Sequence, residues 1–235
     1  MRRSLPLFAV LAALALPTLA LAQWSDNFDA YANGTSLHGV GGWAGWDNNP
    51  AATGFVTNAQ SHSAPHSVDI RPTTDLVQQF TGVNTGIWLL SGWIFVPQGG
   101  SGDQYLVLLN SYVPGNVALD NWSLDLEFDQ TAGVVRDLDD PGTPTLPLIR
   151  GQWVQVRNII DFTANIQQVF YGNTLFTAKS WTEGASGGGA LNFAALDLFS
   201  NAATSVFWDD LSLQREGATA VEPTTWGGVK AAFGR

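Results

Sequence analysis

From Trp24 to Gln214 the chain is a succession of short apolar runs separated by Gly, Pro, Asn and Asp, with no 3.6-residue periodicity until its last fifteen residues. Alternation at a period of two sends successive side chains to opposite faces of a strand, so each run buries one face only. Strands are expected over 54–59, 67–71, 75–80, 87–96, 104–112, 121–128, 133–138, 152–161, 165–171, 174–180, 191–199 and 205–214, after an opening strand at Trp24. So many antiparallel strands predict an all-β domain of two stacked sheets, a β-sandwich. Gly172-Asn173 reads as a two-residue hairpin loop, and Thr131-Ala-Gly133 does similar duty. Longer loops at 33–50, 98–103, 139–147 and 183–189 are free to carry a site.

The chain has no cysteine. That excludes disulfide staples, thiol catalysis and thiolate metal sites together, so an apolar core must hold the domain. Ten Trp and thirteen Phe supply large buried area for it.

Residues 1–22 read as a secretory signal peptide: Arg2 and Arg3, an apolar run from Leu5 to Leu16, and the small-residue site Ala20-Leu21-Ala22. The expected product is secreted, at the cell surface or outside the cell, with no membrane insertion. Without the two leader arginines, eight basic residues face twenty acids, a net charge of −12. That field repels phosphate backbones, so no nucleic-acid partner is expected; neutral ligands and divalent cations suit it better. Residues 23–215 read as one domain and 216–235 as a linker and tail, in which Trp226, Val229 and Phe233 fall at helical spacing.

Two aromatic segments bracket the domain, Trp24-Ser-Asp-Asn-Phe-Asp-Ala-Tyr31 and Val206-Phe-Trp-Asp-Asp-Leu-Ser-Leu213, and they read as paired opening and closing strands. Strict alternation puts Phe207, Asp209, Leu211 and Leu213 on one face, aiming an acid at the core. A carboxylate there needs a metal, an Arg or several backbone N–H groups.

Three segments carry a resemblance: Asp26-Asn-Phe-Asp29-Ala-Tyr31-Ala-Asn-Gly34-Thr followed by Gly41-Gly-Trp43-Ala-Gly-Trp46; Gly151-Gln-Trp153-Val-Gln-Val; and Phe207-Trp-Asp-Asp-Leu-Ser-Leu213. Together they resemble the concanavalin A-like (LamG-like) lectin and glucanase superfamily of secreted bacterial proteins, over nearly all of the mature chain. The resemblance implies a jelly-roll sandwich and a glycan or polysaccharide partner. Lectins, carbohydrate-binding modules, glycosidases, lyases and adhesion domains all share that architecture, so function must be argued from a site. The tail's Thr-Trp-Gly pattern is similar to short terminal sorting tags.

Asp125-Leu-Glu-Phe-Asp129 puts Asp125, Glu127 and Asp129 on one strand face with Leu124, Leu126 and Phe128 opposite. It resembles the Glu-x-Asp-x-Glu strand of laminarinase-type glycosidases, which would make these acids catalytic. An alternating strand with one solvated polar face predicts the same letters. Asp26, Asp29, Asp209 and Asp210 are candidate oxygen ligands for a structural Ca²⁺ ion where the two end strands meet. His62 and His66 flank Pro65, which rules out the regular helix that would stack them for zinc. The candidate ligand surface is aromatic: Trp43, Trp46, Tyr112 and Trp181 lie in or beside loops, and Asp47 and Asn48 follow Trp46 with the polar groups that sugar hydroxyls require.

These features favour a non-catalytic module that binds carbohydrate or serves cell-surface adhesion. The alternatives are a glycoside hydrolase or polysaccharide lyase working through Asp125, Glu127 and Asp129, and a structural surface or matrix protein.

Overall fold

The computed structural model describes residues 24–140, 142 and 144–216, so the expected leader and the tail beyond Glu216 lie outside the described residues. The strands in chain order are β1 (Trp24–Asp26), β2 (Trp43–Gly45), β3 (Phe55–Thr57), β4 (Ser67–Ile70), β5 (Asp75–Gln79), β6 (Ile87–Phe95), β7 (Asp103–Ser111), β8 (Asn121–Asp129), β9 (Val134–Asp137), β10 (Leu146–Pro147), β11 (Trp153–Asp161), β12 (Ile166–Tyr171), β13 (Thr174–Ser180), β14 (Ala195–Asn201) and β15 (Val206–Arg215). Helical structure among the described residues is confined to single 3-10 turns.

All strand pairs are antiparallel. One sheet runs β13-β12-β11-β6-β15-β4-β3, with β1 also on β15, and the other runs β10-β9-β8-β7-β14-β5-β2. This is the two-sheet sandwich that the alternating runs predict, and it is consistent with the jelly roll that the resemblance implies. Strands β2 and β10 fall in expected loops, because elements of three and two residues are too short to show a period.

The central strands explain why the sheets stack. In β6, Trp88, Leu90, Gly92 and Ile94 point inward, and in β11 Val154, Val156, Asn158 and Ile160 do, while the residues alternating with them face out. Aromatic side chains join the layers: Trp208 of β15 meets Phe128 of β8 edge to face at 5.9 Å, and Trp181 meets Phe193 at 5.5 Å.

The end strands pair as expected, with Trp24 opposite Leu213 and Asp26 opposite Leu211. The aim of Asp209 is corrected. Register shifts between Asp209 and Ser212, and Asp210 sits at φ +48°, the mark of an inserted residue. This bulge changes the phase of the strand, so Val206, Trp208, Leu211 and Leu213 are buried, and Asp209 shares the outer face with Phe207. Gly92 lies beside the irregularity on β6. A Cβ there would stand 2.4 Å from Leu211 Cδ2, so the bulge needs a residue without one.

Asp209 is nevertheless fully buried, under the loop at His62 and Ser63. Its Oδ2 accepts the backbone N–H groups of both, at 2.7 and 3.0 Å, and its Oδ1 accepts that of Asp210 at 2.7 Å. Several backbone donors, one of the three partners required of a buried carboxylate, are what it has. Burial still pushes its pKa up to about 6, against the pull of those donors.

Candidate functional site

The outer face of the second sheet carries an unusual pair of rungs. Reading across β8, β7, β14 and β5, pairing registers set Asp125, Val107, Asp197 and Val77 side by side in one rung. The next rung holds Glu127, Tyr105, Phe199 and Asp75. Leu124, Leu126 and Phe128 on the other face are wholly buried between the sheets, as the alternation of β8 predicts.

These rungs floor a cleft of about 310 Å³ whose lining includes Trp46, Tyr105, Trp122 and Phe199 with Asp75, Asp125 and Asp197. Tyr105 and Phe199 stack at 5.4 Å, and the Tyr105 hydroxyl donates to Glu127 Oε1 at 3.1 Å. Trp46 reaches the cleft from the 3-10 turn after β2. That turn is pinned by Asp47, whose N–H donates to the Tyr112 hydroxyl at 2.9 Å and whose Oδ1 accepts from Gly115 N at 2.7 Å. Trp46 then packs on Tyr112 at 4.8 Å between ring centres.

The acids of β8 divide into two kinds. Glu127 and Asp129 are neutralised by the Arg136 guanidinium on β9, and Asp129 Oδ1 also accepts the N–H groups of Thr131 and Ala132 in the hairpin. They are 4% and 7% exposed, so the solvated-face reading of this strand is corrected. Asp125 lacks that cation. Burial, followed by the charge of Asp139, pushes its pKa to about 7, and Lys179 only partly opposes this.

Asp75 and Asp197 are brought together by the diagonal between adjacent rungs. Burial raises both carboxyls, and the mutual interaction raises Asp197 well above the usual range. Asp197 is 4% exposed, and its carboxyl is hydrogen-bonded to that of Asp75. Two carboxyls so placed hold one proton between them.

The remaining candidates scatter. Trp43 and Trp181, expected as ligand surface, are corrected to core: they are 1% and 0% exposed, with indole N–H groups donating to Asp26 Oδ2 and the Asn192 carbonyl. Asn48 is exposed beside Trp46, outside the cleft lining. Of the four acids considered for Ca²⁺, Asp26 also accepts from Phe28 N and the Tyr31 hydroxyl, whose pKa burial and then Asp26 push up to about 12. Asp29 Oδ1 accepts His66 N at 2.9 Å, and Asp210 takes the Ser63 hydroxyl and the His62 ring at 2.7 and 2.6 Å. Asp26 and Asp210 line one hollow, but the four carboxylates do not converge. Among the described residues no cluster of three or more acidic or imidazole side chains is arranged to hold a metal.

Asp75, Asp197, Tyr105, Trp122 and Phe199 are absent from the sequence expectations. The signal was there for Asp197: Ala195-Leu-Asp-Leu-Phe199 alternates as Asp125-Leu-Glu-Phe-Asp129 does.

No family model and no curated protein matches the sequence. Solved structures do. The carbohydrate esterase of the Shiga toxin-encoding bacteriophage phi24B aligns over 76% of this chain and 92% of its own, with a TM-score of 0.52 at 13% identity. A sialidase aligns over 91% of this chain with a TM-score of 0.53 at 8% identity, and the Trypanosoma rangeli sialidase over 81% with 0.51 at 14%. The likeness is one of fold. This chain spans 20% and 30% of those two sialidases.

Proposed function

We propose that the chain is a carbohydrate-binding module of the concanavalin A-like kind, acting outside the cell, and that it takes a neutral glycan in the cleft on its second sheet. The carrying observation is the cleft's make-up: four aromatic rings around carboxyls that can each accept or donate to a hydroxyl. Its volume lies at the small end of ligand sites, which run from ~300 to 1,000 Å³. Anionic sugars fit poorly, because the lining contributes acids and no cation. The fold shared with a carbohydrate esterase and with sialidases agrees with this reading without carrying it.

The test is calorimetric titration with neutral hexasaccharides of the cello, laminari, xylo, manno and chito series. Trp46→Ala, at a partly exposed turn, should weaken the bound member about tenfold or more, since truncating an aromatic anchor costs ~2 kcal/mol or above. Absence of binding to all five, or an unchanged Kd in the variant, would sink the proposal.

A further inference from the structure

We infer that the first sheet carries a second glycan site on its outer face, and that the protein thereby joins two glycan chains, one on each sheet. The class of ligand rests on the glycan reading above, while the place is separate from the cleft. Outer positions of a sandwich strand meet water, and alternation normally fills them with polar residues. Where β15, β6 and β11 meet they are aromatic instead. Pairing registers set Phe207, Phe95 and Trp153 in one rung and Asp209, Trp93 and Gln155 in the next. The four rings are half-buried although they face away from the core. Cross-strand contacts account for part of this, since Phe95 lies 5.6 Å from Trp153 and 6.3 Å from Phe207 between ring centres. Both indoles still leave apolar surface in water at one place, and apolar surface gathered inside a polar rim marks an interaction site.

Trp93 and Trp153 line a hollow of about 300 Å³ together with Ile149, Gln152, Gln155 and Asn173. Its walls are held in place by the fold. Gly172 N donates to the Gln155 carbonyl at 2.8 Å, which brings the β12–β13 loop and Asn173 alongside β11. Ile149 N donates to the Tyr171 hydroxyl at 3.0 Å. The His62 ring stacks on Trp93 at 3.9 Å, and its Nδ1 stands 2.6 Å from Asp210 Oδ2, so the indole is fixed by a loop that is itself anchored. A ligand meeting walls already ordered loses little further entropy on binding.

The lining decides the ligand. Gln152, Gln155 and Asn173 each offer a carbonyl acceptor and an amide donor, and none of these side chains hydrogen-bonds another described residue. No charged side chain lines the hollow, whereas the lining of the cleft on the second sheet includes three acids. A neutral sugar matches both halves of this surface: its C–H face lies on an indole, and its hydroxyls donate to and accept from the carboxamides. A proline-rich peptide would also stack on the indoles, but proline has no N–H, so the carboxamide oxygens would go unmatched. The two sites sit on the outer faces of stacked sheets and look in opposite directions. A short chain cannot occupy both without turning round the edge of the sandwich. Long chains that present many sites are therefore joined through the protein.

The experiment counts sites by calorimetric titration with the five neutral hexasaccharides, and follows cross-linking by light scattering with the polysaccharide of each bound series. Wild type should take up two hexasaccharides per molecule, and Trp46→Ala and Trp153→Ala one each. Scattering should rise with wild type and with neither variant. The double variant Gln155→Ala with Asn173→Ala keeps both indoles and should weaken the first-sheet site about tenfold, as the loss of two hydrogen bonds does; it serves if Trp153→Ala fails to fold. A single site lost in Trp46→Ala but kept in Trp153→Ala and in the double variant overturns this inference and leaves the cleft reading standing. A single site lost only in Trp153→Ala removes the cleft reading, and the joining of two chains with it. Binding of a proline decamer in this hollow in place of sugar overturns the inference as well. Failure to bind any hexasaccharide removes both readings.

Discussion

Lys179 of β13 places its Nζ 2.8 Å from the carboxylate of Asp137 on β9, tying an edge strand of one sheet to the opposite sheet. The Asp137 side chain is fully buried and that of Lys179 is 10% exposed, so water does little to screen the pair. Removing one partner strands a buried charge, which costs ~3–5 kcal/mol. Lys179→Met should therefore lower stability by about that much, read from urea midpoints at constant m. The double replacement Lys179→Met with Asp137→Leu should recover most of the loss, since apolar side chains often replace a buried pair at no net cost. A double variant as unstable as the single would count against this account.

Stability should fall as pH rises from 5 to 8. Asp125 and Asp209 have native pKa values near 7 and 6, above an unfolded value near 3.8. The native state therefore binds protons more tightly than the unfolded one. That contribution is fully present below about pH 4 and is lost as pH passes through the native values. For a chain of this length each kcal/mol moves the melting temperature by ~2–4 °C. Asp125→Asn should flatten the slope and melt higher than wild type at pH 8, as expected where a group serves a ligand at the expense of the fold. A slope of the opposite sign in calorimetric scans would contradict the assigned shifts.

Asp209 predicts a local effect. Asp209→Ala removes the acceptor for His62 N and Ser63 N and should cost about 1–3 kcal/mol, with faster amide exchange confined to that loop. Asp26, Asp29, Asp209 and Asp210 each accept hydrogen bonds from protein donors, so EDTA should leave the melting temperature unchanged. A chelator-dependent fall, reversed by Ca²⁺, would reinstate the ion.

Gly92→Ala tests the bulge. The new methyl would meet Leu211 Cδ2 at 2.4 Å, and overpacking of this kind costs ~1–3 kcal/mol. Pairing it with Leu211→Ala should relieve the clash at the cost of a partly filled cavity, a non-additivity that a double-mutant cycle measures.

The sandwich was legible because burial on one face imposes a period of two, and strands as long as β6, β8 and β11 repeat it often enough to read. The same rule misread β15. One inserted residue at Asp210 reverses the phase, and a period carries no mark of an insertion. For the site, the acids of β8 were visible within one strand. Asp75 and Asp197 were not, since their meaning comes from register with strands far away in the chain, and local patterning does not encode which strands are neighbours. Trp43 and Trp181 show the converse. A tryptophan beside a loop looks available until the loop folds it under, and its N–H then needs the partners that Asp26 and Asn192 supply.

The closing strand has one more consequence. β15 lies between β6 on one side and β4 with β1 on the other. Until it is in place, the first sheet consists of two unjoined halves and β1 has no partner. A chain emerging from the ribosome cannot complete this sheet before its last strand is made, whatever has already formed in the second sheet. Assembly should therefore be slow and late, as pairing between distant segments generally is. The half-sheets leave open backbone edges meanwhile, and those are the surfaces that a holding chaperone would have to shield.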